Sequence, residues 1–209
     1  MSTLLNKKYC IPNLVYEQRL WHAGINKVCG VDEVGRGALA GPVVACAVIF
    51  QRNYYHPEVL DSKLLTWQKR RYLREILCEE ALDWSIGSAT PKEIDCFNIR
   101  QATFMAMRRA INALNIKPDY ALIDGESIRT GICESQGIIK GDNKSFTIAA
   151  ASIIAKDIRD DYMAKISKSY KRFKFEKNKG YGTKEHIQVI KNTGICEYHR
   201  RTFLRKILD

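Results

Sequence analysis

Residues 30–50 read GVDEVGRGALAGPVVACAVIF, and this stretch decides how the chain is built. It joins two β-rich runs, Lys27–Val34 and Pro42–Phe50, through the glycine-rich segment Gly35–Gly41. Both runs are almost continuously apolar and rich in valine, the mark of strands covered on both faces. Working outward, Ala81–Ala89 reads as a third strand, Tyr120–Ile123 as a fourth ending in Asp124-Gly125, and Gly137–Lys140 as a fifth ending in Gly141-Asp142. Helices are predicted over Tyr16–Ala23, with Trp21 as its apolar anchor, and from an N-cap at Thr66 to about Glu80. Thr90-Pro91 opens another helical stretch, and Asn98–Leu114 carries apolar residues at helical spacing. A long helix from Phe146 to about Tyr170 begins TIAAASIIA, small enough to pack tightly, and Lys184–Leu208 closes the chain with helix. Strands mixed with helices predict an α/β layered domain over residues 1–183, with a helical C-terminal region, 184–209, packed on it.

The charge balance names a class of partner. The 209 residues hold 34 Lys and Arg against 23 Asp and Glu, a formal net charge of +11. Such an excess favours a polyanion, because neutralising phosphates releases condensed counterions. A hydrophobic share of 45% excludes wholesale disorder. Met1–Cys10 lacks the apolar core of a leader peptide, and the longest apolar stretch, Ala38–Phe50, is broken by Gly41-Pro42 and falls short of a membrane span. Seven cysteines are scattered without a CxxC pair, which argues against a zinc site or a secreted disulfide framework. The expectation is a soluble, cytoplasmic protein with no membrane contact.

Carboxylates at strand ends carry the chemical signal. Asp32 and Glu33 end the first strand, Asp124 the fourth and Asp142 the fifth. Acids beside a phosphate-binding surface repel the ligand unless a divalent cation lies between, and hard cations take oxygen ligands. Adjacent Asp32 and Glu33 would face opposite sides of a regular strand, so joint ligation requires a bulge or a strand end. Gly35-Arg36-Gly37 offers backbone amides and a guanidinium for a phosphate, or else an ordinary glycine-rich connection. No GxxxxGK[ST] loop occurs, so an NTPase lacks its central element. The segment KRFKFEKNKGYGTKEH, Lys171–His186, interleaves basic residues with Phe173, Phe175 and Tyr181, a pattern suited to phosphates and to stacking on bases or sugars. His186 reads equally as structural or as a group near the reaction.

These blocks, taken in order, resemble the ribonuclease HII family, the bacterial type 2 ribonucleases H. The resemblance rests on Gly30–Phe50, on IDGE at Ile123–Glu126, on IIKGDNKSFTIAAASIIAKDIRD at Ile138–Asp160 and on NKGYGTKEH at Asn178–His186. DSK at Asp61–Lys63 and HRRTF at His199–Phe203 also fit. It implies a ribonuclease H-like fold, a mixed five-stranded sheet flanked by helices with a helical C-terminal part. The implied activity is endonucleolytic cleavage of RNA in RNA–DNA hybrids and 5′ to single ribonucleotides in duplex DNA, leaving 3′-hydroxyl and 5′-phosphate ends. Asp32, Glu33, Asp124 and Asp142 fall on the family's metal-binding carboxylates, which implies two Mn²⁺ or Mg²⁺ ions during catalysis. Gly35, Arg36 and Gly37 fall on its 2′-hydroxyl-sensing loop, and Tyr181 on the tyrosine that packs against the following sugar. Lys63, Lys144, Ser152 and Lys156 are further candidates for substrate contact or for bracing the site.

The sequence departs from the family pattern at Ala38, where proline commonly follows GRG, at Glu126, where asparagine is common, and at Asp157, where an apolar residue is more usual. Glu126 and Asp157 are both expected to face water. A nucleic-acid-binding module without catalysis would explain the charge but not the four acids. Against another two-metal enzyme of the same layered fold, such as a DNA endonuclease, the resemblance alone speaks, through GRG together with the Tyr181 loop. The default oligomeric state is a monomer, and LRKILD at the C-terminus offers no evident docking motif for a protein partner.

Overall fold

The computed structural model describes residues 11–208, so Cys10 and the stretch read for a leader lie outside it. Its centre is a five-stranded sheet in the order β3-β2-β1-β4-β5. β1 (Val28–Val34) pairs antiparallel with β2 (Val43–Phe50), and β2 pairs antiparallel with β3 (Ala81–Ala89). On the other side β1 runs parallel to β4 (Tyr120–Asp124), which runs parallel to β5 (Glu134–Ile138). Every residue of β2 is buried, as its unbroken apolar run requires of a strand with helices on both faces.

Alternation along the strands divides the core in two. Cys29, Val31, Ala45, Ala47 and Ile123 meet α3 (Pro91–Asn112) through its Ala102, Ala106 and Ala110. Cys46, Val48 and Phe50 meet α4 (Phe146–Ser167), with Leu73 and Leu77 of α2 (Trp67–Glu80) in the same cluster. The alanine-rich start of α4 lets it lie almost on β1, where a Cβ on Gly30 would fall 2.3 Å from the carbonyl carbon of Thr147. Glu17 of α1 (Val15–His22) is fully buried and accepts from Ser145 Oγ (2.6 Å), the Thr147 amide (3.0 Å) and Thr147 Oγ1 (2.8 Å), a negative charge at the N-terminus of α4.

Two expectations about the end of the sheet are corrected. The fifth strand is Glu134–Ile138 rather than Gly137–Lys140. It is an edge strand with one half-exposed face, so its polar ESQG carries no continuous apolar signal, while Ile139 is 74% exposed and outside it. Lys140 adopts a left-handed conformation and opens a 3₁₀ turn, Gly141–Asn143, so Asp142 lies on that turn and not at a strand end. The helices expected from Thr90-Pro91 and over Asn98–Leu114 are both present within α3, separated by a break at Asn98 (φ 65°), whose side chain caps the second through the Gln101 amide at 3.1 Å.

The basic segment from Lys171 is ordered, with a 3₁₀ turn at Lys171–Phe173 and the short helix α5 (Phe175–Asn178). Phe173 and Phe175 are buried against Met163, Ile190 and Leu204, and are therefore not free to stack on bases. The closing helix is two helices, α6 (Lys184–Thr193) and α7 (Arg201–Leu208). Asp95 of α3 holds the start of α7 by accepting from the Arg201 and Thr202 amides, each at 2.9 Å. Among the described residues no helix is long and apolar enough to cross a membrane.

Candidate active site

Because β1 and β4 are parallel, both deliver their carboxyl ends to one edge of the sheet. β1 reaches further: its last partner in β4 faces Val31, and Asp32 and Glu33 continue beyond it, while Asp124 is the last residue of β4. Both stay paired with β2 in unbroken register, Asp32 opposite Cys46 and Glu33 opposite Ala45, so no bulge brings the two side chains together. Asp32 Oδ1 folds back to accept from the Glu33 amide at 2.7 Å. One ligand oxygen from each of Asp32, Glu33 and Asp124 then lies within 4.8 Å of the others. Asp142 lines the same cavity from its 3₁₀ turn, held by Lys63 Nζ at 3.4 Å and by Asn143 Nδ2 at 2.8 Å. Gly141 between them donates its amide to Asp124 Oδ1 at 2.6 Å.

Packing acids this closely is electrostatically costly. Burial raises the Asp32 carboxyl well above the usual aspartate range, and the charges of Glu33 and Asp124 raise it further. Burial also raises Glu33, with Arg36 opposing, and raises Asp124, with the Gly141 amide opposing and Asp142 adding. Glu33 Oε1 pairs with Arg36 at 3.3 Å, but its Oε2 is buried with no donor at all. An all-oxygen set with an orphaned acceptor and mutually repelling charges fits a hard divalent cation.

The cavity measures about 460 Å³. Gly35, Arg36 and Gly37 form one wall, Tyr181 another, and Ser62, Lys63, Ser152 and Lys156 complete it. The Ser62 and Ser152 hydroxyls are 3.0 Å apart, and Lys156 donates to Asp160 at 2.6 Å while its ammonium lies 6.0 Å from the Tyr181 ring. Lys144 is exposed and is not among the lining residues. Of the departures, Ala38 is fully buried, and Glu126 is an exposed residue paired with Arg100, as expected for a water-facing acid. Asp157 does not face water: it is 3% exposed and lies 3.3 Å from both Arg71 and Arg74 of α2, a cross-helix ion pair turned away from the acids. His186 is fully buried against His199, a structural position. Two buried arginines, Arg159 and Arg200, escaped the sequence reading although both lie in the quoted blocks, since an arginine in a charged segment reads as surface.

Comparison with known proteins bears on this geometry directly. The ribonuclease HII family profile matches residues 29–206, from the start of β1 to α7. The chain belongs to the ribonuclease HII family. It is 49% identical to the ribonuclease HII of Caldicellulosiruptor bescii over 193 residues, covering 92% of this chain and 94% of that one. Identity to the ribonuclease HII of Clostridioides difficile is 48% over 195 residues, 93% of this chain and 76% of that one. The crystal structure of ribonuclease H2 from Pyrococcus horikoshii superposes with a TM-score of 0.74 at 29% identity, covering 87% of this chain and 97% of that one. A ribonuclease HII is a metal-dependent endonuclease acting on RNA–DNA hybrids, and the converging acids at the β1 and β4 ends suit that chemistry.

Proposed function

We propose that this ribonuclease HII incises duplex DNA 5′ to a single embedded ribonucleotide, as well as cutting RNA in continuous hybrids, and leaves 3′-hydroxyl and 5′-phosphate ends. The observation that carries the reading is that one cavity joins the acids Asp32, Glu33, Asp124 and Asp142 to the Gly35-Arg36-Gly37 wall and Tyr181. Hydrolysis and recognition of the sugar would then occur within a few ångströms of each other. Such an incision would begin the removal of ribonucleotides from DNA.

The four carboxylates are the groups that would hold Mg²⁺ or Mn²⁺, with Glu33 Oε2 free to ligate. When bound, such ions supply an activated water and stabilise the departing 3′ oxygen. Lys63 offsets the charge of Asp142, so the phosphate meets less repulsion on that side. Gly37 has no protein atom within 4 Å of where a Cβ would stand, which leaves room for a sugar against the backbone. Amide groups there can read a 2′-hydroxyl, the atom that separates RNA from DNA. Tyr181 presents its ring to the following deoxyribose, and Lys156 beside it suits the adjoining phosphate.

The test maps product ends on an end-labelled duplex with one ribonucleotide, for wild type and Asp124→Asn, with Mg²⁺, with Mn²⁺ and with excess chelator. The expected products end in a 3′-hydroxyl immediately before the ribonucleotide, and both the variant and the chelator abolish them. A 2′,3′-cyclic phosphate end, or cutting that survives chelation, would contradict the reading.

A further inference from the structure

Two arginines lie at the heart of this protein without a carboxylate to pair with. Arg159 and Arg200 are fully buried, and among the described residues neither is in a salt bridge. Burial pulls the Arg200 guanidinium down to about 9 and lowers Arg159 as well. Backbone carbonyls compensate them instead. Arg200 donates from Nη2 to Gly35 O at 2.7 Å, from Nη1 to Arg36 O at 2.9 Å, and from Nε and Nη2 to Gly41 O at 3.0 and 2.9 Å. Arg159 donates to the carbonyls of Pro42 (2.9 Å), Lys179 (3.0 Å) and Ala40 (3.1 Å), and its guanidinium lies 5.5 Å from the Tyr181 ring.

The direction of the Arg200 bonds has a consequence at the cavity. In a trans peptide the N–H points opposite to the C=O of the same plane. The chain contains no cis peptides among the described residues. The carbonyls of Gly35 and Arg36 point at Arg200, so the amides sharing their planes, those of Arg36 and Gly37, point away from it. Neither amide has a hydrogen-bond acceptor within the described residues, and both residues line the cavity. Gly35 adopts φ of +93° with Arg159 Nε only 2.2 Å from where a Cβ would be, so only glycine fits at the start of this loop.

The residue before Arg200 acts on Tyr181. The Cys196 amide donates to His199 Nδ1 at 3.0 Å, which makes that nitrogen an acceptor and puts the ring proton on Nε2. His199 Nε2–H then donates to His186 Nε2 at 3.1 Å, and His186 Nδ1–H donates to the Tyr181 carbonyl at 2.9 Å. A single chain of donors thus fixes both tautomers and ends on the backbone of Tyr181.

We infer that His199-Arg200 is a positioning pair for the sugar-reading surface: Arg200 aims the Arg36 and Gly37 amides into the cavity, and His199 acts through His186 to set Tyr181. This rests on the proposed contact of those residues with the ribonucleotide. The pair touches none of the four acids, so its removal alters substrate affinity and selectivity and leaves the hydrolytic centre intact.

Two variants test it, Arg200→Lys and His186→Phe, each measured on a continuous RNA–DNA hybrid and on a duplex with one ribonucleotide. An ammonium cannot span the three carbonyls that the guanidinium fork joins. The phenyl ring keeps the packing of His186 against Phe175 and His199 while losing the donor to Tyr181. Thermal unfolding confirms that each variant is folded before kinetics are compared. The expected result is KM raised about tenfold or more in Arg200→Lys, the loss of a charge-assisted bond, and about three- to tenfold in His186→Phe, the loss of a neutral one, with kcat at saturation within about threefold of wild type. The ratio of single-ribonucleotide to hybrid cleavage falls as well. Wild-type KM and ratio in both folded variants would overturn the inference, as would an equal fall of kcat on both substrates at unchanged KM. If wild type itself ignores the single ribonucleotide, the proposed specificity fails, and KM on the hybrid still decides the role of the pair.

Discussion

Lys63 Nζ lies 3.4 Å from Asp142 Oδ2, so Asp142, like Glu33 beside Arg36, already has a cation at its side. Burial opposes the charge on Lys63, but Asp142 and Asp61 outweigh it and raise the ammonium above the usual lysine range. The lysine side chain is 74% exposed, so the pair contributes little to folding. Its effect falls on the ion. In Lys63→Ala the acid cluster loses a neighbouring positive charge that competes with the ion, and half-activation by Mn²⁺ is expected at a lower concentration than in wild type, by about two- to tenfold. KM for the nucleic acid rises in the same variant because a phosphate-facing cation is gone. A metal titration of activity checks both directions.

The clustered acids oppose folding when no ion is present. Asp32, Glu33 and Asp124 are all raised above their unfolded values, so the folded state binds more protons between the ordinary carboxylate pKa and the raised ones. Stability of the metal-free protein from this source therefore falls as pH rises through that window, and remains low at neutral pH. Asp124→Asn is expected to raise Tm of the metal-free protein at pH 7 while abolishing cleavage. Mg²⁺ or Mn²⁺ should raise Tm of wild type more than of the variant. Scanning calorimetry with and without metal decides it.

The histidine chain behind Tyr181 has the opposite sign. Burial brings His199 down to about 4, with the neighbouring His186 adding, while an unfolded histidine titrates near 6.5. Between those values the unfolded chain takes up the proton and the folded one does not, so stability is present above pH 6.5 and is lost as pH falls toward 4. One such group changes stability by at most about 1.4 kcal/mol per pH unit. The acid and histidine effects overlap in pH, so each is read as a wild-type-minus-variant difference. His199→Gln is expected to flatten the slope between pH 6.5 and 4, as followed by denaturant unfolding.

Glu17 supports α4 from a distance. It gives one carboxylate oxygen to three donors at the helix start, and Asp142 lies on the turn just before that helix. Glu17→Ala leaves those donors buried and unpaired, at a cost of about 3 kcal/mol or more. Denaturant unfolding should register the loss, with the m-value unchanged.

How much of this was legible depends on what each residue's neighbours do. β1 and β2 announce themselves because burial on both faces leaves an unbroken apolar run, α2 because Thr66 caps it, and α4 because its start, TIAAASIIA, is small and apolar. The three converging acids could be named from strand ends, although their convergence depends on the parallel pairing of β1 with β4, which no periodicity reveals. β5 was misplaced because Glu134–Ile138 needs only one apolar face at the sheet edge. Phe173 and Phe175 look like stacking platforms in a basic loop, yet the loop folds into short helical turns that bury them. Arg159 and Arg200 were invisible as interior groups because their partners are carbonyls, which leave no mark in a sequence.

The most direct measurement compares two duplexes that differ by one oxygen atom, a single 2′-hydroxyl at a defined position, with wild-type enzyme and Mg²⁺ or Mn²⁺. The account expects cleavage of the ribonucleotide-containing duplex on the 5′ side of that residue and none of its all-DNA twin. Equal cutting of both would contradict it, leaving an acid cluster able to hydrolyse phosphodiesters beside a cavity wall that does not read the sugar.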